Sequence, residues 1–191
     1  MNEFIEMIKN RRTIRKYKSL QISNDELNAI LDAGLHAPNA GGRQSAIIVV
    51  IQNEKLIEEL GIINRNTFKI TSNITVSNEQ PSIIDDPNIK NAFYEAPVVL
   101  VFFALKNNYN LTGDCFIAAE NIIFAAHSLG IGSCMIARTA ETFETDRGKE
   151  IQKEWGLSNE YEARVFVTLG YIEGKLPLYK PRKENRIIFI K

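Results

Sequence analysis

The chain has 191 residues, 45% of them hydrophobic and 24% charged, with 23 basic residues against 23 acidic ones. That neutral balance excludes a general nucleic-acid binder, which would be broadly basic, and the length suits a single domain with a sizeable core. Two cysteines, Cys115 and Cys134, make no disulfide framework and point to a reducing, cytoplasmic setting.

Residues 2–12 carry Phe4, Ile5 and Ile8 at helical spacing, with Met7 beside them. They predict a helix with one face buried, and the stretch is too acidic for a signal peptide. Arg11-Arg12-Thr13-Ile14-Arg15 closes it. Guanidinium groups are planar, permanently charged donors suited to a phosphate or a carboxylate. A second basic cluster, Lys175, Lys180, Arg182, Lys183 and Arg186, lies near the other end. Charge alone admits two readings, solvated ends or two ends converging on one small anion.

Ser23 followed by Glu26 is a capping box, and Leu27, Ile30, Leu31, Gly34 and Leu35 form one helical stripe. Pro38 ends that helix by Ala37. A loop of small residues, 37–45, precedes a buried strand over 46–51, and such residues allow close backbone approach to something flat or anionic. Residues 53–63 read as a short helix. Residues 64–92 are polar and interrupted by Pro81 and Pro87, a long loop of the kind that covers a site.

Residues 97–105 leave no polar face and predict a central strand, too short to span a bilayer. The helix over 114–129 is apolar nearly all round, which predicts a subunit interface. Gly130-Ile131-Gly132 turns the chain into a strand over 133–137. A helix over about 146–155 and a strand over 163–170 follow. Ile187, Ile188, Phe189 and Ile190 end a polar tail, and four such residues predict an edge strand on an arm long enough to reach a partner subunit. No repeat or linker divides residues 1–191, and 171–191 reads as the arm.

Standard catalytic signatures are absent: no nucleophile elbow, no phosphate-loop lysine, no zinc spacing. Gly130-x-Gly132 lacks a third glycine and leaves a helix where a dinucleotide fingerprint would open one. His36 and His127 fall inside helical patterns, and Cys134 has no histidine nearby in sequence. With no catalytic residue or metal set in evidence, the chemistry is expected to belong to a bound cofactor.

In this setting five motifs, in order along nearly the whole chain, resemble the nitroreductase family of FMN-dependent oxidoreductases. Arg11-Arg12-Thr13-Ile14-Arg15 is similar to the family's Arg-Arg-Ser-x-Arg. The stretch from Ala37-Pro38-Asn39 to Gln44-Ser45 is similar to its Ala-Pro-Ser-x-x-Asn-x-Gln-Pro loop. Glu95-Ala96-Pro97 and the strand after it match its Ala-Pro strand, and Gly130-Ile131-Gly132-Ser133-Cys134 its glycine turn. Leu169-Gly170-Tyr171 followed by Lys180-Pro181-Arg182 matches its ending.

The resemblance implies an α+β fold, a mixed central sheet with helices on both faces, in an intertwined homodimer that binds FMN at its interface. It implies two-electron reduction of a nitro, quinone or related acceptor by NAD(P)H. Arg11 and Thr13, helped by Arg12, would hold the FMN phosphate with Lys180 and Arg182. Arg15 would lie near the pyrimidine edge of the ring and tune it. Pro38, Asn39, Ala40, Gly42 and Gln44 would come from the other subunit. Ile136 and Ala137 would present backbone to the reactive edge, and Asn88 is a further candidate for a ring contact. Gly42 stands where the family commonly has Asn, and Ser45-Ala46 replaces a usual Pro-Trp. The alternatives are a flavin-fragmenting or dehalogenating relative, or a non-catalytic FMN-binding module. No nucleic-acid or membrane partner is expected.

Overall fold

The computed structural model describes residues 2–67, 80–84, 86–107 and 110–191. Its elements, in order, are α1 (Glu3–Asn10), α2 (Asn24–Leu35), β1 (Ile47–Ile51), α3 (Glu54–Asn66), β2 (Val98–Leu105) and α4 (Asn110–Ser128), then β3 (Ile131–Ile136), α5 (Thr139–Glu144), α6 (Asp146–Glu154) and β4 (Tyr161–Tyr171). Strands pair in the order β1-β2-β4-β3.

The centre of the sheet follows from side-chain alternation. Val98, Leu100, Phe102 and Ala104 of β2 enter one core with α2 and α4. Val99, Val101 and Phe103 enter the opposite core, with residues of α3, α5 and α6. Period-two alternation on a strand apolar throughout thus feeds two cores, one on each face. On β4 the register slips by one: Phe102 faces Val165, but Phe103 faces Ala163. Arg164 is the extra residue, and its guanidinium donates to the Leu105 carbonyl at 3.1 Å. Phe93, Phe102, Phe103 and Phe166 are fully buried, each contributing about 1.5–3 kcal/mol over an exposed position.

The α+β architecture with helices on both faces is as expected. All three strand pairs are antiparallel, however, where a mixed sheet was predicted. Among the described residues, parallel pairing is confined to one bridge, Thr13 to Ser133. The predicted strand over 187–190 does not form within the chain, and Ile190 is 92% exposed. The β3 edge of the sheet is already taken by the stretch around Thr13, which bridges to Ser133. The apolar face of α1 is also uncovered, against expectation: the helix has no buried residue, and Phe4 and Ile5 are exposed. Met7 beside them is half-buried, and the rest of that face stays open among the described residues. Of the cover predicted over 64–92, residues 68–79 and 85 lie outside the described residues; α3 itself runs on to Asn66.

Candidate functional site

The stretch from Arg11 to Tyr17 runs as an extended segment against the β3 edge. Ile14 donates its N–H to the Ser133 carbonyl at 2.9 Å, and Lys18 donates to the Tyr171 carbonyl at 2.9 Å. Ile14 is 1% exposed. The segment lies this close because two strand residues lack side chains. A Cβ on Gly132 would meet Ile14 Cγ2 at 2.9 Å, and one on Gly170 would meet Tyr17 Cδ1 at 2.8 Å. Tyr17 then closes a buried polar chain: its hydroxyl donates to the Ile14 carbonyl at 2.6 Å and lies 2.7 Å from Thr168 Oγ1. Burial raises the Tyr17 pKa, so the phenol stays a neutral donor.

This anchoring sets out the basic side chains. Arg11 Nη1 donates to Thr13 Oγ1 at 3.4 Å. Arg12 Nη1 donates to the carbonyls of Lys9 and Arg11, capping α1, and its guanidinium lies 5.0 Å from the centre of the Tyr179 ring. Arg182 lies 5.2 Å from the same ring. Tyr179, which sequence patterns single out in no way, therefore joins the two basic clusters. The structure brings Arg11, Arg12, Thr13 and Arg182 together, with Lys180 exposed two residues earlier. The end of α4 borders them: burial, then the charges of Arg11 and Arg12, lowers the pKa of His127.

Arg15 occupies a separate niche. Its backbone N–H donates to Gln80 Oε1 at 2.7 Å, and its Nη1 to the Gln80 carbonyl at 3.4 Å. The guanidinium stands 5.9 Å from the Tyr94 ring centre and beside the Cys134 thiol, whose pKa burial pushes up to about 11. Arg15 Nε is buried and has no acceptor among the described residues. A buried donor with no acceptor is costly, and a ligand edge bearing an acceptor would satisfy it.

At the end of β3, the Ile136 carbonyl accepts from Thr139 Oγ1 at 3.4 Å and the Ala137 carbonyl from Asn64 Nδ2 at 3.0 Å. Asn64, fully buried, also donates to the Arg138 carbonyl and to Thr142 Oγ1. It fixes the turn after β3, a role hidden in a sequence where it is one polar residue near the end of a helix. Arg138 takes a left-handed φ of 59° there. Asn88 is exposed, its N–H donating to Asp86 Oδ1 at 2.8 Å, and among the described residues no hydrogen bond joins it to another candidate.

The loop with Pro38, Asn39, Ala40, Gly42 and Gln44 leads into β1, at the sheet edge opposite β3. Asn39 is spent on the loop itself, with Oδ1 accepting from the Gln44 N–H at 2.8 Å. Gly41, Gly42 and Gln44 all have positive φ, of 65°, 64° and 49°. Left-handed backbone is what Gly adopts freely and Asn tolerates best among the rest, which accounts for Gly where Asn is usual.

Three interstrand spacings of about 4.8 Å separate the β1 edge from the β3 edge. Along α4, thirteen residues from Asp114 beside the loop to His127 beside the arginines span about 20 Å. Within one chain, the loop and the basic cluster are apart.

The nitroreductase family model matches residues 8–171. The chain belongs to the nitroreductase family. A nitroreductase with bound FMN from Bacteroides fragilis is 29% identical, with all of both chains covered and a TM-score of 0.84. A second, from Desulfitobacterium hafniense, also with bound FMN, is 26% identical with full coverage and a TM-score of 0.83. A putative NADH dehydrogenase/NAD(P)H nitroreductase of Archaeoglobus fulgidus is 26% identical over 94% of this chain and 91% of its own. Among the described residues of this nitroreductase-family chain, no helix is long and apolar enough to cross a membrane.

Proposed function

We propose that the protein is a homodimeric FMN-dependent oxidoreductase that reduces nitro, quinone or related acceptors with NAD(P)H. The observation that carries this reading is the meeting of Arg12 and Arg182 on Tyr179, beside Arg11 and Thr13. Guanidinium groups and a hydroxyl gathered at one point suit a terminal phosphate. Arg15 Nε, which has no acceptor among the described residues, supplies a donor suited to the acceptor-rich edge of a planar ring, and the FMN-bound neighbours support the choice of cofactor.

On this reading Arg11, Thr13, Lys180 and Arg182 hold the phosphate, while Arg12 braces the site by fixing Tyr179. FMN, when bound, would supply the transfer of two electrons as a hydride. Arg15 holds positive charge against the pyrimidine edge, where weak screening in a partly buried niche gives it leverage. Ile136 and Ala137 present backbone to the reactive edge, at a turn that Asn64 fixes. Pro38, Asn39, Ala40, Gly42 and Gln44 exclude water from a partner's ring. Asn88 is proposed only as an outlying ring contact.

Exposed Phe4, Ile5 and residues 187–190 support a dimer in which residues 171–191 embrace the partner. Obligate interfaces bury roughly 2,000–5,000 Å² and resemble a core cut in half. The test is steady NAD(P)H oxidation with a nitroaromatic or quinone by flavin-loaded protein. Flavin that binds without turnover leaves only a binding module. Truncation after Glu173 is expected to lose both FMN and the dimer.

A further inference from the structure

Asp114 is the one carboxylate that α4 buries in its apolar run, and it is 6% exposed. A buried carboxylate is costly unless hydrogen-bonded. Both of its bonds go to the loop before β1. Oδ1 accepts from the Ala40 N–H at 3.0 Å, and Oδ2 accepts from Ser45 Oγ at 3.3 Å. One carboxylate therefore clasps the loop at both ends of its crest. Between the two clasped residues lie the left-handed Gly41, Gly42 and Gln44, and all three are exposed. A non-glycine residue in that region is strained and persists only where its surroundings over-determine it. Asp114, with Asn39 bridging to Gln44, supplies that constraint.

The clasp cannot serve the basic cluster of its own chain, which lies about 20 Å away along α4. We infer that Asp114 is a positioning residue that sets the 38–45 loop for the flavin held by the other subunit, so that each site takes its phosphate ligands from one chain and its Asp114-held loop from the other. This rests on the FMN-dimer reading above.

The geometry gives a complementation test. In a heterodimer of Arg11→Ala and Asp114→Ala subunits, one site carries both lesions and the other carries neither. Differently tagged subunits are co-expressed, purified over both tags, stripped of flavin and titrated with FMN by fluorescence quenching. The Asp114→Ala homodimer is expected to remain a folded dimer with FMN affinity lower by about tenfold or more. Asp114→Asn keeps an acceptor for Ala40 and offers its amide to Ser45 Oγ, so affinity should return to within about threefold of the unaltered protein. The heterodimer should bind one FMN with unaltered affinity.

A heterodimer with no site of unaltered affinity, or an Asp114→Ala dimer that binds FMN as tightly as the unaltered one, overturns the inference. Failure of the underlying reading looks different, because the unaltered protein then takes up no FMN. If Asp114→Ala yields no folded protein, Ser45→Ala replaces it in both measurements with an expected loss of about threefold. Unchanged affinity in that variant overturns the inference as well.

Discussion

Arg12 and Arg182 lie against one aromatic ring, their guanidinium carbons 5.0 Å and 5.2 Å from the centre of Tyr179. The ring is half exposed, and an exposed cation–π contact is worth about 0.5–1 kcal/mol. Tyr179→Ala should thus free the tail and lower FMN affinity by roughly threefold to thirtyfold, while Tyr179→Phe keeps the π face and most of the affinity. Isothermal titration of flavin-free protein measures both. Equal losses in the two variants would mean that the hydroxyl, and not the ring, matters.

Gly170 makes room for Tyr17. A Cβ at that position would meet Tyr17 Cδ1 at 2.8 Å and Pro97 Cδ at 2.7 Å. Neither a ring packed on a strand nor a proline gives way easily, and overpacking costs about 1–3 kcal/mol. Gly170→Ala should lower the unfolding free energy measured in urea by that amount, with a lower midpoint, and weaken FMN binding, because the Arg11–Tyr17 segment is displaced with the ring. An unchanged midpoint would show that the segment adjusts freely.

How much of this is legible in the sequence depends on what each residue's neighbours reveal. Val98 to Phe103 have no polar face, so a buried strand is forced. Ser23 and Glu26 mark a helix start by local chemistry, and both capping-box bonds are present. Gly132 and Gly170 are visible only as motif members, since the Ile14 and Tyr17 they accommodate are distant in the chain. Tyr179 is an ordinary tyrosine in a polar tail. Asp114 looks like an acidic residue at a helix start, where it complements the dipole; its loop partners come from residues 40 and 45. The α1 face misled for the converse reason, since an amphipathic pattern states that a face is apolar and not which chain covers it.

The two buried thiols predict an alkaline limit. Burial raises Cys115 to about 12 and Cys134 to about 11, against an ordinary value of 9.0. Each folded-state value exceeds the unfolded one, so the associated stability is fully present below about pH 9 and is lost as pH rises towards 11–12. Tyr17, raised by burial, adds in the same direction at higher pH. Urea unfolding at pH 8, 9.5 and 10.5 should show falling stability, with a shallower slope in Cys115→Ala. A flat profile over that range would contradict the assignment.

Arg11 and Arg15 should separate binding from chemistry. Arg15→Ala removes the guanidinium beside Tyr94 and Cys134, and it should retain much of its FMN but show a lower two-electron potential and slower reduction by NAD(P)H. Arg11→Ala should lose FMN affinity with a nearly normal potential in what remains bound. A charge-assisted hydrogen bond is worth about 1.5–3 kcal/mol, so each effect should be roughly tenfold to a hundredfold. An unchanged potential in Arg15→Ala would remove that residue from the ring's edge.

The most direct measurement is the identity and amount of flavin carried by the purified protein. Denaturation followed by chromatography and absorbance should give FMN, at one per chain, from a yellow dimer. A colourless protein that also fails to take up added FMN would contradict the account at its centre.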